Sequence, residues 1–482
     1  MPKVIFAPLL ASVLLCGCAI GPNYQTPTPV ASPPANFSAA TPLTVAPAGD
    51  VQDDWWRLYR NPELDALILK ALAANTDLRV ASANLARAKG ALTEARSALY
   101  LPATQLTASA TEGRTATGNG LAEIEGKKPR TSGADTFGFV ASYEVDLFGR
   151  LRRASEAAHA DTDAARAALD YARIVVASDT ARAYVDACAY GEVLQAAQKS
   201  LEAARQTADI TRERRRLGAA YELDVARAEA LARQAAAAVP AAEAQRQAAL
   251  FSLAVLTGQP PEAHIPGAEA CIRPPALNAP TPVGDGVSLI RRRPDVKQAE
   301  RQLAAETARI GVATAQLFPI VTLGGQIGGA GSTPDKAFNV YGSTFSVGPA
   351  VSWTVPNIVV ARARIAEQKA TTRAALARLD GAVLAALKDV EVALTNLDSE
   401  RRRNVEFMSA RDQLLRAADL AQTRYDRGAA SFLDLLDAQR SLQAAQADVA
   451  TSDLRRSEAE IALFRALGGG WLSAPAVVDP AR

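Results

Sequence analysis

Apolar residues along this chain recur with two periods, and the two occupy separate stretches. Asn61-Pro62-Glu63 supplies an N-cap, a proline for the first helical position and an early acid, after which Leu64, Leu67, Ile68, Ala71 and Leu72 fall on one face of a helix. Two longer helices are predicted from Gly149 to Leu217 and from Val359 to Arg427, intervals that contain no proline. At about 1.5 Å per residue each would extend roughly 100 Å. In the second, Leu376, Leu379, Val383, Leu387, Val390, Leu394 and Leu397 alternate spacings of three and four, the heptad pattern of left-handed helix packing. The other period is two. Phe137, Phe139, Ala141, Tyr143 and Val145 alternate with small or polar residues, as do Phe345, Val347, Pro349, Val351, Trp353 and Val355. Residues 101–110 and 319–327 are weaker strands preceding each, and the Gly-rich, polar stretches 111–133 and 328–342 are expected to be loops.

The same order is written twice. Leu217-Gly218-Ala219-Ala220-Tyr221-Glu222-Leu223-Asp224 aligns with Arg427-Gly428-Ala429-Ala430-Ser431-Phe432-Leu433-Asp434, and Ser142-Tyr143-Glu144-Val145 with Ser352-Trp353-Thr354-Val355. Each copy reads helix, strand, loop, strand, long helix, turn, helix. The first is expected over residues 61–258 and the second over 287–468, with a Pro/Gly-dense bridge at 259–286 and a tail at 469–482.

Residues 1–17 have the short apolar run of a secretory leader, too short to span a bilayer as a helix. The run ends in Leu15-Cys16-Gly17-Cys18, which resembles a bacterial lipobox with Cys18 as the acylated first residue. Ala19 lacks the Asp that retains lipoproteins at the inner membrane. Residues 18–60 then form a lipidated linker rich in Pro, Ala, Ser and Thr. No later window has about 18 uncharged apolar residues, so any membrane crossing must use strands.

Composition narrows the chemistry. In 482 residues, 53 Lys+Arg stand against 51 Asp+Glu, which gives no basic excess for nucleic acid. His159 and His264 are the two histidines, and no spacing supplies the further ligands a metal site needs. No cofactor motif and no activated nucleophile is visible, which points away from an enzyme. The sequence does not settle whether Cys188 and Cys271 pair.

Four strands cannot close a barrel in hydrocarbon, where open edges are not tolerated and the smallest barrels have about eight strands. Two chains would give a barrel filled by side chains; three or more would leave a lumen. The helices alone would equally suit a pore-free coiled-coil scaffold.

Several motifs in order decide for a resemblance that covers nearly the whole mature chain: Cys18-Ala19-Ile20-Gly21-Pro22-Asn23-Tyr24, Trp55-Trp56, Tyr143-Glu144-Val145-Asp146-Leu147-Phe148-Gly149-Arg150, Arg292-Arg293-Pro294-Asp295-Val296 and Asp434-Leu435-Leu436-Asp437-Ala438-Gln439-Arg440. The chain resembles the TolC-like outer-membrane factors, in the lipoprotein branch that serves RND-type tripartite efflux pumps. The resemblance implies a mostly α fold with a small β part, in which an α-helical barrel continues a β-barrel shared by a homotrimer, four strands per chain. It implies outer-membrane lipid around the strands, a periplasmic adaptor (membrane fusion) protein and an inner-membrane RND-type pump as partners, and a passive exit duct for small amphipathic compounds. Type I protein secretion uses the same fold and stays open as an alternative. By the same resemblance Leu217, Gly218, Ala219, Arg427, Gly428 and Ala429 are tip residues that contact the adaptor. Asp434 and Asp437, with Leu433 as an apolar constriction, form a gate on the second hairpin, where the first copy has Arg227 in place of Asp437; Arg440 pairs with Asp437 or with a neighbouring protomer, and the alternative role for Asp434 is to cap the start of its helix.

Overall fold

The computed structural model describes residues 19–28, 36–41, 53–114, 116–126, 128, 131–277, 281–354, 358–471 and 474–478. The expected leader and Cys18 lie outside the described residues. After a 3-10 turn at Trp55–Tyr59, the helices are α1 (Pro62–Ala74), α2 (Thr76–Tyr100), α3 (Ala116–Ile124), α4 (Arg150–Arg216), α5 (Glu222–Leu256), α6 (Pro266–Glu269), α7 (Gly286–Arg292), α8 (Pro294–Ala315), α9 (Pro334–Ala337), α10 (Ile358–Asp426) and α11 (Phe432–Leu467). The strands are β1 (Ala103–Gly113), β2 (Ser132–Val145), β3 (Ile320–Gly331) and β4 (Ser343–Ser352). None of the described helices is long and apolar enough to cross a membrane.

The chain divides into two compact units. The first takes the described part of Met1–Pro27 with Ala86–Ala164 and Ala299–Arg378; it holds the whole sheet. Its strands pair antiparallel in the order β1-β2-β3-β4, so β1 and β4 each keep one unpaired edge within the chain. Its helical core is small and alanine-built, with Ala160, Ala304 and Ala305 against Tyr24. The second unit takes Thr28–Leu85, Ala165–Gln298 and Leu379–Arg482. Here Trp55 stacks on Phe464 with ring centroids 4.7 Å apart, and Trp56, Leu64, Ile68, Leu72 and Leu253 complete a closed core.

Local chemistry sets the helix ends. The Asn61 side-chain Oδ1 accepts from the N–H groups of Glu63 and Leu64, and the predicted face of α1 is buried throughout. The single opening helix expected in each copy is instead two. Asn75 leaves the helical region at ψ 137°, caps α2 by accepting from Asp77 and Leu78, and donates to the Leu256 carbonyl at 3.0 Å. In the second copy Arg293 is extended because Pro294 follows it. The heptad stripe of α10 is buried from Leu379 to Leu397 apart from half-buried Leu387, whereas Leu376 is exposed. The loops also differ from expectation: β1 runs on to Gly113, β2 starts at Ser132, β3 includes Gly328–Gly331, and the connections contain α3 and α9.

Candidate functional site

Strand pairing sorts the sheet residues onto two faces. Leu106 pairs with Phe139, Phe139 with Ile327, and Ile327 with Phe345, so one apolar row crosses all four strands. Two residues towards the helices the row is Thr104, Ala141, Gly325 and Val347; further on come Tyr143, Leu323 and Pro349, then Val145, Val321 and Val351. The opposite face carries Gln105, Val140, Gln326 and Ser346, then Thr107, Gly138, Gly328 and Thr344. On that face Ser109 and Thr136 hydroxyls lie 2.8 Å apart. Every residue of β1 is exposed, and on β4 all but one. Phe345 is 83% exposed and Val347 77%. A soluble sheet would bury one face; this one exposes an apolar face and a polar face together, the pattern of a strand set between lipid and water.

At the helix end of the sheet the two copies use the same fastening. The Tyr143 hydroxyl donates to the Leu99 carbonyl at 3.1 Å, and the Trp353 indole N–H donates to Leu317 at 3.3 Å. The segment after Cys18 is held here too. Buried Arg153 donates to the carbonyls of Ile20 and Gly21 and to Asn23 Oδ1. Gly149 has φ +78°, and a Cβ there would lie 2.6 Å from the Ala19 backbone. Sequence reading singles out Gly149 through its motif but offers no signal for Arg153.

Both hairpin turns have one geometry. Gly218 donates to Arg215 and Ala219 to Arg214; Gly428 donates to Tyr425 and Ala429 to Arg424. Gly218 and Gly428 adopt φ +76° and +70° with open space around them, so glycine serves the backbone angle and not packing. Leu217, Ala219, Arg427 and Ala429 are all exposed. Beneath the turns the Arg214 guanidinium covers the Tyr425 ring at 4.5 Å, and Phe432, Leu435 and Leu436 pack on Leu231 and the alanines of α4 and α5.

The predicted gate residues Leu433, Asp434, Asp437 and Arg440 all lie on the exposed side of α11, while Phe432, Leu435 and Leu436 are buried. They do not do equal work. The Asp434 carboxylate accepts from the Ser431 N–H at 3.0 Å while Ser431 Oγ accepts from the Asp434 N–H, a closed capping box. The Ser431 hydroxyl and N–H hold Asp434 below the usual carboxylate range. Among the described residues no ion pair joins Asp437 to Arg440, which is one of the two pairings the sequence leaves open for Arg440.

Two features of the second unit need the fold to settle them: a cysteine pairing the sequence leaves open, and a buried carboxyl it does not signal. Cys188 and Cys271 are disulfide-bonded with Cα atoms 4.8 Å apart, which fastens the bridge segment to α4. Nearby, the Arg182 guanidinium contacts Glu458 at 2.6 Å and Asp186 at 3.9 Å, and Asp186 Oδ1 is buried without a partner. Burial first, and the Glu458 charge second, push Asp186 up to about 7 against the opposing pull of Arg182. Its carboxyl is about 3.9 in an unfolded chain, so between those values the folded state binds more protons and stability falls as pH rises; the deficit is complete above about pH 7. Asp186→Asn is therefore expected to raise thermal stability at about pH 8 by on the order of 1–2 kcal/mol, and to change little near pH 4.5. Circular-dichroism melts at both pH values check this; equal shifts at both would contradict it.

Comparison with known proteins completes the description. The sequence model of the outer membrane efflux protein family matches residues 67–259 and 287–469. Nodulation protein T of Rhizobium leguminosarum bv. trifolii is 33% identical over 95% of this chain and 96% of its own length. The pyoverdine export outer membrane protein OpmQ of Pseudomonas putida is 32% identical, with 96% of each covered. Among solved structures the outer-membrane channel OprN superposes with a TM-score of 0.84 at 32% identity, covering 94% of this chain and all of that one.

Proposed function

The chain belongs to the outer membrane efflux protein family, and from that premise we propose how an outer-membrane efflux channel of TolC-like fold is built and gated from these residues. The family and the fold are those of channels, not of enzymes. The observation that carries the reading is the four-stranded sheet with an exposed apolar face and two unpaired edges.

Three chains close those edges against one another, β1 of one copy beside β4 of the next, to give a twelve-strand barrel with Gln105, Thr107, Gln326 and Ser346 towards the lumen and the row through Phe139 towards lipid. Acylated Cys18 anchors each chain beside the barrel's periplasmic rim, a placement supported by the packing of Ala19 on Gly149. The exposed turns at 217–219 and 427–429 receive a periplasmic adaptor, through which an inner-membrane RND-type pump delivers substrate. In this reading each chain contributes its two copies, residues 61–258 and 287–468, to the same barrel. At the tip, Asp437 supplies the acidic ring and Leu433 the apolar constriction; Asp434 contributes by holding the turn. Arg440 pairs across to a neighbouring copy. The cargo class is small amphipathic compounds.

Single-channel recording in planar bilayers tests this. The purified protein should conduct, and Asp437→Ala should raise its conductance or open probability severalfold, because removing a ring of carboxylates also removes the contacts that hold the closed end together. Silence in both proteins would favour the pore-free scaffold. Cells lacking the protein should become sensitive to amphipathic compounds; loss of an exported polypeptide without that sensitivity would favour type I secretion.

A further inference from the structure

The connection between β3 and β4, residues 332–342, does not fold over the polar face of the sheet. Gly329 and Gly331 lie on the apolar face, in register with Phe137 on the neighbouring strand in the case of Gly329. A Cβ on Gly329 would lie 2.1 Å from the Ala337 carbonyl oxygen and 2.5 Å from the Phe137 ring; one on Gly331 would lie 2.4 Å from the Ala337 nitrogen. The short helix α9 therefore occupies the space that side chains would fill on the apolar side, and its Ala337 is buried against the sheet. The Phe338 ring stacks on Phe137 with centroids 4.2 Å apart. Having bent outwards, the connection leaves Phe338, Val340 and Tyr341 exposed; Tyr341 is wholly uncovered. The sequence spends two glycines on admitting this fold-back, then places large apolar and aromatic residues where a solvated loop would carry polar ones.

We propose that residues 332–342 form an outward hook that lodges Phe338, Val340 and Tyr341 in the headgroup and acyl-chain boundary of the outer leaflet. The occupant is lipid because the hook continues the apolar face: Phe137, on which Phe338 stacks, stands two residues from Phe139 in the row that meets hydrocarbon. An aromatic ring with a polar tip, as in Tyr341, suits that boundary. The hook fixes the height and tilt of the barrel at its outer rim, opposite the end where Tyr143 and Trp353 fasten strand to helix. This rests on the reading in which the apolar face meets lipid, and its test separates the two.

Nitroxide labels are attached at Tyr341→Cys, Val340→Cys, Val347→Cys and Thr107→Cys in the full chain, reconstituted into phosphatidylethanolamine/phosphatidylcholine vesicles. Collision with oxygen, which favours lipid, is compared with collision with a water-soluble nickel complex. Single-channel recording confirms that each labelled protein still assembles. Val347, on the apolar face, should favour oxygen, and Thr107, on the polar face, the nickel complex. Labels at 340 and 341 are expected to favour oxygen severalfold over a solvated position. If they instead collide freely with nickel while Val347 and Thr107 behave as stated, the hook is a water-exposed loop and the proposal fails with the barrel intact. Shielding from both reagents, with or without dipolar broadening between copies, would assign the hook to protein contact and also overturn it. Nickel access at Val347 would sink both readings.

Discussion

Ile327→Arg is expected to abolish assembly in the membrane, while Gln326→Arg, one residue away, leaves it nearly unchanged. Ile327 lies inside β3, pairs with Phe139 on one side and Phe345 on the other, and is 59% exposed within the chain. Its neighbours across both strands are apolar, so a guanidinium there has neither an ionic partner nor water. A cationic side chain on the lipid face of a barrel costs about 2–4 kcal/mol near the bilayer midplane, and a shared barrel carries that cost once per chain. Gln326 pairs with Val140 and Ser346 on the face assigned to the lumen, where an arginine stays hydrated. The two variants change the same charge in the same strand, so the contrast isolates the face and not strand propensity. Gel migration of unheated samples from outer-membrane fractions measures the assembled fraction. Equal losses for both variants would contradict the assignment of faces.

Loss of the Cys188–Cys271 bond is expected to destabilise the second unit by about 4.5 kcal/mol, as the chain-entropy account gives for cross-linked residues 83 apart. The enclosed segment contains all of α5 and the first hairpin turn, so the unfolded chain regains the freedom of that whole loop. The native side is prepared for the bond. A Cβ on Gly191 would lie 2.6 Å from the Cys271 carbonyl oxygen, and Arg246 donates to the Glu269 and Cys271 carbonyls. Cys188→Ala with Cys271→Ala removes the bond without leaving a free thiol. Thermal unfolding followed by circular dichroism should drop markedly for this pair and for the wild type in reductant; unchanged melting in both would show that the bridge segment is held by packing alone.

Much of the fold was legible from the chain because its punctuation is strong. Gly149, Gly218 and Gly428 all take positive φ, and the two long helices α4 and α10 begin and end within a residue or two of the expected limits. The alternating strands around Phe139 and Phe345 were visible for the same reason: one face must be apolar along its whole length. What stayed hidden depends on partners distant in sequence. Gly328–Gly331 reads as a loop locally, yet it pairs with β2, because Gly329 and Gly331 answer to α9 packing over them and not to a turn. Asn75 reads as one more polar residue until Leu256 supplies the acceptor that makes a helix break favourable. The site follows the same division. The turn residues are legible from local chemistry, and so is the cap that the Asp434 carboxylate closes with Ser431. Arg153 and Asp186 needed the fold, since nothing in their neighbourhood along the chain announces the carbonyls or the second carboxylate they meet.

The central claim is that unpaired β1 and β4 edges are sealed by other copies of the same chain. Native mass spectrometry of the protein released from mild detergent addresses it most directly. The expected result is a complex of three times the mature chain mass that persists until the sheet itself unfolds. A monomer with its sheet intact, or a dimer as the largest stable species, would contradict it.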